Sequence, residues 1–424
     1  MTVGVNRMKF SARSVSLRPV AVLATAGAMV ATAVVAMPTE SDAAGPCRVR
    51  TSTHLKSSQP FAEGGVLRRF TAQAKGSANG GYDHQGKVLM ARYPKGAFPA
   101  LINAAVGGRK AIGDMVKAQR RQAVGAINGD FFTFPDIRGV NDIEMSRGPM
   151  VRDGRIVRGT SQRMRAVGVT MKREPFGGMI AVRGSVRANG LEKAVPVRSM
   201  NWQNVKGGGV NVYTSAYSDA IPRPRGRIEW VLNDENRIRK VRSPARNTGE
   251  LGDPIRSGTR VLAFPRNMVD QVRGAAAGTR VTVNIRQSTD TGKKLYTAVG
   301  RGLPMVLRGV PAPLGCNAYA HSKAARPRTF VGWDKQGRWR SFTVPGKQFD
   351  GVGLRTGGFG LANAANIAVK LGMVRAYELD GGGSTTLWTR NNSGDWSRRD
   401  LYGVDTRVCA CERPMTNGLA FIKR

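Results

Sequence analysis

Hydrophobic positions in this chain come mostly in short runs separated by turn residues. Lys87–Tyr93, Ala123–Ile127 and Ala166–Met171 read as strands, and Ala100–Gln122 predicts one or two short helices interrupted at Gly107-Gly108. Gly148–Ile156 predicts a hairpin turning at Asp153-Gly154, a dipeptide suited to a two-residue turn. Residues 172–300 read as β: Met179–Val182, Val210–Tyr213, Ile228–Leu232, Val261–Phe264 and Val281–Ile285 are short apolar runs between turn signals. Val281, Val283 and Ile285 alternate with polar residues, as a half-buried strand requires. Ser257–Val261 recurs loosely as Ala277–Val281, a repeated strand entry rather than a solenoid period. The last third mixes the two periods. Trp339–Val344 reads as a strand, whereas Leu361–Leu371 is the clearest helix: Leu361, Ala364, Ala365, Ala368 and Leu371 share one face, and Gly372 suits its C-terminal cap. Residues 45–85 are polar and basic, with little periodicity.

One stretch departs from both periods. Glu378-Leu379-Asp380-Gly381-Gly382-Gly383-Ser384-Thr385-Thr386 places a carboxylate, three glycines and three hydroxyls directly after an apolar run. Each glycine loses extra backbone entropy on folding, roughly 0.5–1 kcal/mol relative to Ala, so such a run belongs where the backbone approaches something closely or takes positive φ. Its amides are expected to form an anion-binding nest; an ordinary glycine-rich turn is the alternative. Glu378 and Asp380, two apart on one strand, would point to one face roughly 6–7 Å apart, a spacing in the range of a glycosidase carboxylate pair. Asp130 is a further candidate, because it follows Asn128-Gly129 at a strand end, and Glu144 lies nearby. Arg326, Arg328 and Arg355 are candidates for gripping a phosphate or carboxylate in a bidentate fork.

Charge narrows the partners. Lys and Arg number 67 against 28 Asp and Glu, giving a net charge of +39, so polyanions are favoured: nucleic acid, anionic membranes or phosphorylated cell-wall polymers. The 424 residues allow two domains, or one large domain with an insertion. Arg7, Lys9, Arg13 and Arg18, the uncharged run Val20–Met37 and the small residues at Ser41–Gly45 read as a signal peptide, cleaved after Ala43 or Ala44. Export and an even cysteine count suggest two disulfides among Cys47, Cys316, Cys409 and Cys411, with no direct Cys409–Cys411 bond. His54, His84 and His321 show no metal-binding spacing, no Gly-x-Ser-x-Gly elbow occurs, and Gly357–Gly360 follows no clear strand as a nucleotide loop should. A metal site, a Ser–His–Asp hydrolase and a nucleotide cofactor are therefore not expected.

Three motifs in order carry a resemblance. Ala126-Ile127-Asn128-Gly129-Asp130-Phe131-Phe132, Arg326-Pro327-Arg328-Thr329-Phe330-Val331-Gly332 and Leu379-Asp380-Gly381-Gly382-Gly383-Ser384-Thr385 look like the Asn-Gly-x-(Phe/Tyr)-Phe, Pro-Arg-Thr-Ala-x-Gly and Leu-Asp-Gly-Gly-Gly-Ser elements of the phosphodiester glycosidase family, of the uncovering-enzyme type that acts on N-acetylglucosamine-1-phosphodiesters. Pro414–Leu419 resembles its closing strand. The likeness covers about 120–171 and 296–424. It implies a hydrolase that releases a sugar from a sugar-1-phosphodiester, with a mixed α/β catalytic domain. It also implies a site of Asn128, Gly129, Asp130, Arg328, Thr329, Asp380, Gly381, Gly382, Gly383 and Ser384. Arg328 and the glycine-loop amides would hold the phosphate, and Asp380 or Asp130 would be nucleophile or base, with Glu378 a further catalytic candidate. This chain has Asn363 where the family usually has Glu, and Glu378 where it usually has Asn; a hydrogen-bonded pair with exchanged partners is expected there.

The fold class expected is α+β, a mixed α/β catalytic domain with an inserted β-rich region. The expected order is a signal peptide at 1–44, a basic segment at 45–85, the first catalytic part at 86–171, the β-rich insertion at 172–300 and the second catalytic part at 301–424. The expected product is an exported or cell-envelope protein acting on an anionic glycan or sugar-phosphate, with no cofactor, no bound metal, no nucleic acid partner and no integral membrane segment after signal cleavage. A non-catalytic envelope protein that binds anionic glycan, and an extracellular nucleic-acid binder, are the alternatives.

Overall fold

The computed structural model describes residues 50–75, 84–103, 105–119, 122–133, 145–202, 208–217, 227–242, 255–312, 325–345, 358–400 and 412–423. The expected leader, the four cysteines, Glu144, Arg355 and His321 lie outside the described residues. Where apolar runs are short and turn-bounded, strands form. Ile228–Leu232 and Trp339–Val344 have the bounds read from the sequence, and Val281–Thr289 shows the alternating burial its pattern predicts. The hairpin at Asp153-Gly154 forms between Met150–Arg152 and Arg155–Thr160, with φ of 50° and 79° at the two turn residues.

The expected α+β class is overturned. Among the described residues 54% lie in strands and 10% in helices, and the α-helices are only Ile112–Lys117, Val269–Arg273 and Leu361–Lys370. Two misreadings account for most of the difference. Ala100–Gln122 yields one six-residue helix, because Phe98–Asn103 is a strand buried along almost its whole length, and continuous burial has no helical or alternating signature. The polar segment Arg50–Lys75 forms two long antiparallel strands, Arg50–Phe61 and Gly65–Lys75. Arg50–Phe61 is the outermost strand of its sheet and mostly exposed, so no apolar stripe marks it.

The strands build three sheets. The first has eight strands and runs from Arg50–Phe61 through His84–Arg92, Trp339–Val344, Arg328–Trp333 and Arg375–Glu378 to the short pair Pro304–Leu307 and Val310–Pro311. The second has five, in the order Trp396–Arg398, Leu387–Arg390, Ala123–Asn128, Asn417–Ile422, Phe98–Asn103. The third has eleven strands and curls on itself: Val195–Met200 pairs with Arg155–Thr160 on one side, and Val195 and Pro196 also pair with Val186 and Ser185. The strands of 172–300 thus continue a sheet that includes Met150–Arg152 and Met164–Thr170.

Layering follows from which faces are apolar. Leu67, Leu89, Tyr93 and Trp339 of the first sheet's segments pack against Leu101, Ile127, Leu419 and Phe421 of the second. In another apolar cluster, helix Leu361–Lys370 packs Leu361, Ala364, Ala365 and Ala368 against Val306, Phe330, Phe342 and Ala376. Between the first two sheets Tyr93 stacks on Phe421, with ring centroids 3.5 Å apart, while the Tyr93 hydroxyl lies 2.9 Å from Ser341 Oγ. Phe421→Ala would leave this interface hollow and should destabilise the protein by about 3–5 kcal/mol, read by urea unfolding.

Candidate functional site

The three sheets meet where Ala123–Asn128 ends, and Asn128 is the junction. Its side chain is fully buried. The amide nitrogen donates to the backbone carbonyl of Asp380 at 2.7 Å; the amide oxygen accepts from Thr329 Oγ1 at 2.9 Å and from the Thr386 amide at 3.1 Å. The Asp380 amide returns a bond to the Gly129 carbonyl at 3.0 Å. Thr329 lies on the strand Arg328–Trp333 of the first sheet, so one side chain holds that strand, the second sheet and both ends of the glycine loop. Gly129 admits no side chain, since a Cβ there would lie 1.9 Å from Asn417 Oδ1. That oxygen accepts the Asp130 amide at 2.9 Å.

Asp130 therefore enters a slot rather than solvent. It is 2% exposed, Ser146 Oγ donates to its Oδ2 at 2.6 Å, and Gly148 and Gly300 of the segments around the third sheet close over the carboxyl. Burial pushes it up to about 6, the nearby Asp380 charge adding to the rise, while Ser146, the Gly148 amide and Arg158 oppose it. Asp380 is half-buried at the head of the glycine loop. Desolvation pushes it up to about 6 as well, against the Ser384 hydroxyl, the Gly381 amide and the guanidinium groups of Arg413 and Arg147. The Asp380 charge is felt at Asp130, so ionising Asp380 disfavours ionising Asp130.

The glycine loop itself is short of spare amides. Gly381 N–H donates to Asp380 Oδ1 at 2.9 Å, Gly382 N–H to the Pro327 carbonyl at 2.9 Å, and the amides of Ser384 and Thr385 close a tight turn onto Gly381 and Gly382. The positive φ of 62° at Gly382 permits that turn. The expected nest is thus engaged within the protein. What the loop offers instead is a close approach to Arg413: a Cβ on Gly383 would stand 2.5 Å from a guanidinium nitrogen, and Arg413 Nη1 lies 3.4 Å from Ser384 Oγ.

Arg328 is placed elsewhere. It is 4% exposed, its Nε donates to the Phe359 carbonyl at 3.1 Å, and its Nη1 stands 3.7 Å from Glu378 Oε1. The strand Arg375–Glu378 ends before Asp380, yet the Asp380 charge is still felt at Glu378. Glu378, 3% exposed, turns to Arg328 and to the Leu303 amide at 3.4 Å; burial raises its pKa, opposed first by Arg328. The expected Asn363–Glu378 hydrogen bond does not form: Glu378 is engaged by Arg328 and the Leu303 amide. Among the described residues no group of three His, Cys, Asp or Glu side chains is placed to hold a metal, and no helix is long and apolar enough to cross a membrane.

Sequence reasoning missed Ser146, Arg147, Arg413 and Asn417. Ser146 and Arg147 sit beside the Gly148-Pro149 turn signal, and Asn417 opens the closing strand; in a chain with 67 cations nothing local distinguishes Arg413.

Behind the loop, Asp400 is also fully buried. Its Oδ1 accepts from the Leu387 amide at 2.7 Å and from Thr386 Oγ1 at 3.3 Å, and burial pushes it up to about 7 against Arg398.

Residues 231–422 match the phosphodiester glycosidase family model. No curated protein matches the chain. Among solved structures, a hypothetical protein from Synechocystis aligns with 18% identity and a TM-score of 0.63, over 84% of this chain and 62% of its own length. The chain thus spans less than two thirds of that relative. A Burkholderia pseudomallei K96243 protein, named for its presumed export, aligns with 15% identity and a TM-score of 0.63 over 89% and 97%. The catalytic domain of zebrafish N-acetylglucosamine-1-phosphodiester α-N-acetylglucosaminidase, auto-inhibited by its pro-peptide, aligns with 13% identity and a TM-score of 0.46 over 88% of each chain.

Two outcomes follow from this geometry. Asn128→Asp places a carboxylate oxygen against the Asp380 carbonyl, which should cost about 2–4 kcal/mol, read as a lowered denaturation midpoint. Asp400 has a folded pKa above its unfolded value, so the stability it contributes is present at low pH and is lost as pH rises from about 4 through 7. Asp400→Asn should therefore lose less stability between about pH 5 and pH 8 than the wild type, measured by urea unfolding at both.

Proposed function

Since the chain carries a phosphodiester glycosidase domain over residues 231–422, we propose that it is an exported glycosidase that hydrolyses sugar-1-phosphodiester bonds, of the N-acetylglucosamine-1-phosphodiester type, in envelope or extracellular polysaccharide. The observation that carries this reading is the half-buried Asp380 held at the Asn128 junction, with buried Asp130 placed from the same strand end and Arg413 against the glycine loop. Export rests on the leader pattern in the first 44 residues.

The chemistry matches that arrangement. Breaking the bond from the anomeric carbon to the phosphate oxygen leaves positive charge on the sugar and negative charge on the phosphate. Asp380, the more accessible carboxylate, faces the sugar and stabilises or attacks the anomeric carbon. Arg413 and Arg147 hold the phosphate, a group that leaves with little need of protonation, and their charge counts most as the leaving oxygen becomes anionic. Asp130, more deeply buried, keeps its proton more readily once Asp380 is ionised. Asn128, Gly129 and Thr329 fix the loop that presents Asp380. Arg328 with Glu378 braces the strand beneath.

Purified mature protein should release sugar from a sugar-1-phosphodiester. Asp380→Asn should lower kcat by about 100- to 10,000-fold with the fold retained. Wild-type turnover in that variant removes Asp380 from the mechanism, and binding of glycan without turnover in the wild type favours the non-catalytic alternative. Because the reactive carboxylate must be ionised, kcat/KM should rise with pH through about 6. Arg413→Lys should lower kcat/KM by about 100-fold on a phosphodiester, and much less on an aryl glycoside, which has no phosphate to hold.

A further inference from the structure

A basic cavity lies in the third sheet. It has a volume of about 610 Å³, and none of its lining residues belongs to the site around Asp380. It runs between the edge strand Val281–Thr289, the turn at Gly154 and the ends of Val195–Met200 and Val210–Thr214. Its apolar floor is aliphatic: Ile156 is buried, and Val283 and Ile285 are half-buried. Around that floor stand Arg155, Arg260, Arg286, Lys293 and Lys294. Lys293 is paired with Glu174 at 2.7 Å. The side chains of the other four make no hydrogen bond or ion pair with any described residue.

Most unpaired cations in so basic a chain are solvated and need no partner. Arg260 is different, because it is half-buried, burial pulls its pKa down, and no neighbouring acid offsets that loss. A desolvated cation without a counter-charge is relieved by a bound anion, and a concave site of this size accepts a ligand of several rings rather than a lone ion. Cations spaced around an aliphatic floor match a chain whose acidic groups alternate with compact, partly apolar bodies. No aromatic side chain lines the cavity, so it lacks the stacking platform that single-stranded nucleic acid uses.

We propose that this cavity is a binding site for an acidic glycan segment, bearing phosphate or carboxylate groups, held by Arg155, Arg260, Arg286 and Lys294 over the floor made by Ile156, Val283 and Ile285. The site acts without the chemistry at Asp380 and tethers polymer to the protein whether or not it is cleaved.

The test uses the full mature chain carrying Asp380→Asn, so that no probe is turned over. Isothermal titration at about 0.15 M salt, where exposed charges are largely screened, compares four probes: a hexagalacturonate, a sugar-1-phosphate-linked hexamer, a neutral glucan hexamer and a short single-stranded DNA. One or both acidic hexamers should bind and the neutral one should not; which acidic hexamer is preferred identifies the charged group. Adding Arg260→Gln with Arg286→Gln should weaken binding by about tenfold or more, equivalent to about 1.4 kcal/mol. Lys56→Gln with Arg68→Gln removes the same charge from exposed positions on the first sheet and should change binding less than about twofold. Arg286→Glu alone, at an exposed position that leaves the fold intact, should weaken binding in the same direction. Equal weakening by the control pair, no weakening by the cavity variants, or tighter binding of DNA than of either acidic hexamer would overturn the proposal. Sugar-1-phosphodiester hydrolysis by the same cavity variants on an intact Asp380 background reads the catalytic site separately and should stay at the wild-type level on a monomeric substrate.

Discussion

The buried amide of Asn128 is the constraint on which the candidate site depends. Three hydrogen bonds from one buried side chain tie the second sheet to the strand of Thr329 and to both ends of the Asp380–Thr386 loop. An amide can do this because it is donor and acceptor at once: a carboxylate there would repel the Asp380 carbonyl, and an aliphatic residue would leave buried polar groups unpaired. The packing around it leaves no tolerance. Gly129 is pressed against Asn417, whose side chain in turn holds the Asp130 backbone. Asp130 and Asp380 are thus placed by a chain of short polar contacts that all begin at one strand end.

That placement sets the electrostatics. The chain has few acids, yet Asp130, Glu378 and Asp400 are buried and Asp380 half-buried at the convergence of its sheets. Burial favours the protonated form of each, and what differs is the opposing group. Glu378 has Arg328 as an internal counter-charge, Asp130 has a hydroxyl and a more distant guanidinium, and Asp380 has the Ser384 hydroxyl, the Gly381 amide and the charges of Arg413 and Arg147. A buried Arg–Glu pair braces strands. Asp380 lacks such an enclosed partner, which is why the proposed phosphate contact falls to Arg413 and Arg147 rather than to Arg328. Around the cavity of the third sheet the balance differs: Lys293 has Glu174, whereas Arg155, Arg260, Arg286 and Lys294 have no acid partner among the described residues.

How much of this was legible depended on how local the signal was. Turn chemistry and alternation are local, so the Asp153-Gly154 hairpin, the strand at Val281–Thr289 and the helix at Leu361–Lys370 could be read directly. The glycine loop, Asn128-Gly129-Asp130 and Arg328-Thr329 could be picked out as motifs because such residues are costly or rare in their contexts, and the fold brings all three together. The overall class could not be read the same way. Arg50–Phe61 is an outer strand with no apolar stripe, and Phe98–Asn103 is buried too continuously to show a period, so both were lost to a composition-based reading.

The chain alone therefore determined which residues are chemically unusual, where turns must fall and that anionic partners are favoured, since these depend on backbone freedom and charge count. Only the tertiary structure decided which cation serves which acid. Arg328 and Arg413 are the same residue type in the same basic chain, but one is enclosed between Phe359 and Glu378, and the other lies against the Gly383 backbone beside Asp380. Burial and approach distance make that difference, and both arise from segments far apart in the chain meeting at one strand end.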